Sequence, residues 1–102
     1  NEILQKTKRI ISSWNGKLYF IYLPSFYLYS ENQEDINRET ILNTVKTLQI
    51  PIIDIQKEVF DIHSDPISLF PFKMNGHYTV EGYNLISKII YKRINDDGLL
   101  SY

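Results

Sequence analysis

The sequence contains no cysteine. No disulfide framework can therefore brace the fold, and cysteine usage leaves the redox compartment open. Net charge is almost absent too: it is −1 over 102 residues, with 11 basic residues spread along the chain. That balance offers no electrostatic footprint for nucleic acid. Lys6, Lys8 and Arg9 stand close together, and they read as the solvated face of a helix rather than a binding patch. Long hydrophobic runs are missing, and the longest is far too short to span a bilayer, so no membrane segment is expected. No signal peptide, internal repeat or low-complexity tract is found. The chain begins inside a helix-like pattern, so its natural start is expected to lie upstream. No set of His, Asp and Glu has a recognisable metal spacing, and no cofactor is expected.

What is present alternates in period. Ile3, Thr7, Ile10, Ile11 and Trp14 fall on one helical face, so residues 3–14 read as a helix that Asn15-Gly16 stops. Leu18 to Leu23 is a continuous apolar run ended by Pro24, the signature of a strand buried on both faces in a parallel sheet. Ser25 to Asp35 reads as a loop that turns from aromatic (Phe26, Tyr27, Tyr29) to acidic. Its aromatic residues suit either the wall of a substrate cleft or packing under a neighbouring loop. A second helix is expected over about 37–48, with Ile41, Leu42, Val45 and Leu48 inward. Pro51 to Ile55 is a second short strand. Gln56 to Asp61 adds a helical turn with Val59 and Phe60 inward. A last helix carries Val80, Tyr83, Ile86, Ile90 and Ile94 in one stripe, and Asp96-Asp97-Gly98 ends it.

The order helix, strand, helix, strand, helix is an α/β pattern with parallel strands. The length fits one small domain or part of one. Two parallel strands make a marginal sheet, and the run from Leu18 to Leu23 leaves an apolar edge. The chain is therefore expected to be part of a larger domain, or to complete its sheet as a homo-oligomer through that edge.

The stretch with chemistry in it is Leu69 to Tyr83. His77 follows Gly76 and stands two residues ahead of the last helix, for which Thr79 is a fair N-cap and Glu81 suits the dipole. A catalytic imidazole needs that placement, exposed at a rim on a fixed backbone. A surface or capping histidine needs nothing more either, and residue type alone leaves both readings standing. Asp65 is the first candidate for a carboxylate partner, and equally a turn-former ahead of Pro66. Asp61 and Asp54 come next, Asp54 at a strand end from which it could also cap the following turn. His63 beside Ser64 and Asp65 reads as a surface residue, because triad members meet through the fold and not by adjacency. Ser25 lacks the glycines of a nucleophile elbow.

Asp65-Pro66-Ile67-Ser68-Leu69-Phe70-Pro71-Phe72, Gly76-His77-Tyr78-Thr79 and Gly82-Tyr83 together resemble the C-terminal block of SGNH (GDSL-type) hydrolases. The likeness runs from about Lys17 to the end and is sharpest over 65–83. It implies the C-terminal portion of a three-layer α/β/α sandwich, flavodoxin-like, forming a single partial domain over 1–102. It also implies a serine ester hydrolase or acyltransferase with His77 as catalytic base, for which Asp65, as part of the motif and of the same loop, is the favoured acid candidate, and an ester or O-acylated substrate, O-acylated carbohydrate among the candidates. Two departures stand out. No Gly-Asp-Ser block and no oxyanion-hole glycine or asparagine block occurs. The family's acid usually stands three residues before the histidine, where this chain has Met74. The other class of function is a non-catalytic α/β interaction module, or a relative that kept the scaffold and lost the chemistry.

Overall fold

The computed structural model describes residues 1–100. The chain is a small mixed α/β protein whose two short strands form a parallel sheet. It falls into two compact units, each assembled from two stretches of chain: Asn1–Ile21 with Asp35–Ile53, and Tyr22–Glu34 with the chain from Asp54 onward.

Helix α1 (Glu2–Ser13) opens the first unit and α3 (Arg38–Thr47) follows in its second stretch. Both stop in the same way. Past α1, the Gly16 N–H donates to Ile11 O at 2.9 Å and the Asn15 N–H to Ser12 O at 3.1 Å. Past α3, the Ile50 N–H donates to Val45 O and the Gln49 N–H to Lys46 O. This paired closure needs a left-handed residue after the cap, and Asn15 (φ 59) and Gln49 (φ 58) take it. The Lys8 amino group adds a second closure on α3, donating to Leu48 O at 2.6 Å. The buried apolar residues of this unit are Val45, Ile50 and Ile53. None of the α1 residues is buried.

Strands β1 (Phe20–Tyr22) and β2 (Ile52–Asp54) are shorter than the apolar runs that contain them. The expectation of a β1 buried on both faces is corrected. Tyr22 is buried, but Ile21 and Leu23 are exposed. The side of β1 that carries Ile21 and Leu23 is therefore left partly open to solvent. The parallel, adjacent pairing of the two runs is as expected.

The second unit contains α2 (Phe26–Ser30) where a loop was expected. Ser25 explains the difference: its Oγ accepts from the Tyr27 N–H and so caps the turn. Gln56–Phe60 is a single π-helical turn, and Val59 and Phe60 point inward as expected. Two 3₁₀ turns, Pro66–Leu69 and Pro71–Lys73, each start on proline. Helix α4 (Val80–Asp96) closes the chain, with Gly98 (φ 78) taking the left-handed position after its cap. Its stripe buries Ile86 but leaves Val80 and Tyr83 exposed. The core of this unit is Tyr22, Ile55, Val59, Phe60, Leu69, Phe70 and Ile86.

Candidate functional site

The loop that carries His77 is closed at its base and open at its tip. At the base, the Thr79 N–H donates to Leu69 O at 2.8 Å, so the residues at the two ends of the loop meet. The next turn of α4 comes close because residue 82 has no side chain. A Cβ there would lie 3.1 Å from Leu69 O and 3.1 Å from Tyr78 Cβ. The Thr79 hydroxyl accepts from the Gly82 N–H at 3.0 Å, which is the N-cap that the sequence announces. Tyr78 forms the third anchor. Its hydroxyl donates to Pro24 O at 2.7 Å, two residues beyond the end of β1. Burial pushes the Tyr78 phenol up to about 12, with Tyr83 adding to the shift.

Rings fill the space behind the base. Phe60 packs on Tyr29, Phe70 and Tyr78, and Phe70 on Phe26 and Tyr78, at centroid separations of 5.2–5.8 Å. These are ordinary tilted, edge and offset contacts between apolar faces. The aromatic residues of the 25–35 segment therefore divide in their roles. Phe26 and Tyr29 pack into this cluster, while Tyr27 stays exposed.

The tip runs from Phe72 to His77 and is exposed throughout. Phe72 (φ 55, ψ 20) and Lys73 (φ 54) are both left-handed, a conformation that costs a bulky residue roughly 1–3 kcal/mol. The Phe72 ring is 94% exposed, so burial does not offset that cost. His77 stands at the end of this tip. Among the described residues, no hydrogen bond or ion pair reaches its ring.

The candidate carboxylates are engaged elsewhere. Asp65 caps the turn that Pro66 begins: its carbonyl accepts from the Ser68 N–H and, at 2.6 Å, from the Ser68 hydroxyl. Its carboxylate lies 3.8 Å from the Lys73 amino group. Asp61 accepts from the Tyr29 hydroxyl at 2.8 Å. Asp54 accepts from the Lys57 N–H and so caps the π-helical turn. Met74, in the position where an acid would be looked for, is exposed. The structure thus brings Asp65 to Lys73, and it forms no hydrogen bond or ion pair between Asp65 and His77.

His63 is more constrained than a surface histidine. Its side chain is 20% exposed, with Nε2 3.7 Å from Glu81 Oε1. Its Nδ1 accepts from the Asp65 N–H at 2.9 Å. The bond from the Asp65 N–H ties the His63 ring to its own turn, while Nε2 lies near Glu81 of α4 without a hydrogen bond to it. Sequence spacing carried no sign of this, since 63 and 81 are joined only by the fold.

The first unit has a separate cleft of about 320 Å³, lined by Lys8, Asn15, Gly16, Lys17, Gln49 and Pro51 among others. The carbonyl ends of α1 and α3 give it negative potential, and the Lys8 ammonium already neutralises one of them. Among the described residues, no group of His, Asp, Glu or Cys is placed to hold a metal ion. No helix among them is long and apolar enough to cross a membrane. No family model, no curated protein and no solved structure matches the chain.

Proposed function

We propose that the chain is the C-terminal portion of an SGNH-type ester hydrolase or O-acyltransferase, in which His77 is the general base. In this reading the two-stranded sheet is one part of a three-layer α/β/α sandwich. The serine nucleophile and the oxyanion donors come from blocks that this sequence does not contain. The observation that carries the proposal is the state of the two histidines. His63 Nδ1 is engaged by the Asp65 N–H, whereas among the described residues nothing bonds to the His77 ring, which stands on an exposed tip whose base is anchored at Leu69, Pro24 and Gly82. A base must be held by its backbone and open at its ring. The left-handed pair Phe72-Lys73 adds support, because such strain concentrates at working loops.

The chemistry is acyl transfer. The imidazole takes the serine proton as the hydroxyl attacks the ester carbonyl, and returns it to the leaving alcohol. The substrate class is an ester or O-acyl group. Met74 and the Asp65–Lys73 pair favour a second reading, a scaffold that retains the loop without the acid, and this is the non-catalytic module.

The test uses p-nitrophenyl esters and a serine-directed fluorophosphonate. In the full-length gene product, His77→Ala lowers turnover by about 100- to 10,000-fold, the usual range for a general base. His63→Ala leaves turnover within a few-fold of the parent. The 102-residue chain alone gives no turnover, since each missing oxyanion donor is worth about 3–4 kcal/mol. Full-rate hydrolysis by His77→Ala overturns the assignment. A full-length product that neither reacts with the fluorophosphonate nor hydrolyses any ester establishes the non-catalytic module.

A further inference from the structure

The geometry points to α1 as a docking helix for an anionic lipid surface, independently of the chemistry at His77. Ile3, Thr7, Ile10 and Trp14 are spaced four, three and four apart, which lays them in one stripe along the helix and its cap. The three apolar members of this stripe face solvent, with Thr7 half-buried between them. Ile3 is 79% exposed, Ile10 57% and Trp14 66%. Leu4 and Ile11, one residue further round, are half-buried, and Lys8 on the same flank is held by Leu48 O. Leu4, Lys8 and Ile11 thus mark the flank of α1 that faces its own unit, and the stripe lies on the other side.

Trp14 is seated rather than dangling. A Cβ on Gly16 would fall 2.6 Å from Trp14 Cζ3 and 2.7 Å from Ile11 Cγ2, so the indole rests on bare backbone. A fixed, exposed indole at the end of an apolar stripe suits the boundary between headgroups and acyl chains, where its ring is buried and its N–H stays wet.

Charge selects the occupant. Lys6 and Arg9 are exposed on the remaining surface of α1, Lys17 follows just past its end, and Glu2 is the one acid of the helix. Among the described residues none of these three cations forms an ion pair. An apolar stripe with indole at one end and cations beside it is the pattern of a helix lying in the plane of a membrane, held by apolar burial plus attraction to anionic headgroups. A second copy is the weaker occupant. Three apolar side chains per copy fall far below the roughly 20–30 residues a side of a stable protein interface. The short helix rests on the surface and does not cross it.

The sequence has a single tryptophan, so Trp14 emission reports the event directly. Phosphatidylserine-containing vesicles shift the emission to the blue and carry the protein down on sedimentation, whereas pure phosphatidylcholine vesicles do so far less. Lys6→Gln with Arg9→Gln lowers partitioning onto anionic vesicles about 25-fold, at roughly fivefold per cation. Ile10→Ser lowers it by about tenfold or more while the far-ultraviolet spectrum stays unchanged, since Ile10 is exposed. Unshifted emission in the presence of anionic vesicles overturns the proposal. So does equal binding to neutral and anionic vesicles. A blue shift that grows with protein concentration in the absence of lipid also overturns it, because a second copy then covers the stripe.

Discussion

The two units use similar helices to different ends. In the first, Val45, Ile50 and Ile53 are buried, while α1 keeps its apolar stripe in solvent. Its helices are closed by backbone bonds past their ends and by one lysine. In the second, Phe60 and Phe70 lie at the centre of a group of contacting rings, and the segments around them have little regular structure. A loop with few backbone ladders can be held by large side chains that bury its base, and the His77 loop is held in this way. Where such side chains are few, as around α1, the helix is fixed on one flank only and its other face remains available.

The largest break in that contrast comes from the ring cluster. Phe60→Ala should cost about 3–5 kcal/mol by urea unfolding, because the ring is fully buried and contacts Tyr29, Phe70 and Tyr78. In the first unit Ile53→Val, at an equally buried site, should cost about 0.5–1.5 kcal/mol. Equal costs would mean that the rings are not what holds the second unit. Smaller is Tyr78→Phe, which removes the bond to Pro24 O and should cost about 0.5–1.5 kcal/mol. The same variant has a pH signature. Burial raises the folded Tyr78 phenol to about 12 from 10.0, so the unfolded chain loses this proton first as pH rises. The Tyr78 contribution is complete below pH 10 and is lost as pH rises towards 12; a Tyr78→Phe chain should lack that part of the alkaline decline. An unchanged alkaline profile in the variant would assign the decline to other groups. The smallest effect belongs to the helix ends. Gln49 sits left-handed at φ 58 where glycine is at ease, so Gln49→Gly should raise stability by about 0.5–1 kcal/mol. Gly98→Ala, at φ 78 past α4, should lower it by about as much, and opposite signs in the two scans are the check.

Helix periodicity was legible in the chain because it is local. The stripes over 3–14, 37–48 and 80–96 lead to α1, α3 and α4 within a residue or two, and Asn15-Gly16 and Gly98 stop them by a backbone preference that needs no partner. Even so, a stripe names a face and not its burial. Val80 belongs to the stripe of α4 and is exposed, and so are Ile3, Ile10 and Trp14 of the stripe of α1. The strand at 20–22 shows the same limit. Leu18 to Leu23 is apolar without a break, yet Ile21 and Leu23 are exposed, since burial on a second side depends on what the rest of the fold packs there.

Residue types and spacing by themselves determined the parallel pairing of the two apolar runs, the N-cap at Thr79, the stop signals and the placement of His77 just before a helix. The caps and stops follow from propensities and bonds that act over a few residues, and the parallel pairing from the crossover that a helix between two apolar runs imposes. Only the tertiary structure decided the rest: that Asp65 turns towards Lys73, that Asp61 is taken by Tyr29, and that His63 lies beside Glu81 while, among the described residues, nothing bonds to the His77 ring. A hydrogen bond between residues 29 and 61, or the approach of residue 63 to residue 81, depends on which segments the burial of Phe60 and Phe70 draws together. That choice is made by the packing of the whole second unit, and no window of sequence contains it.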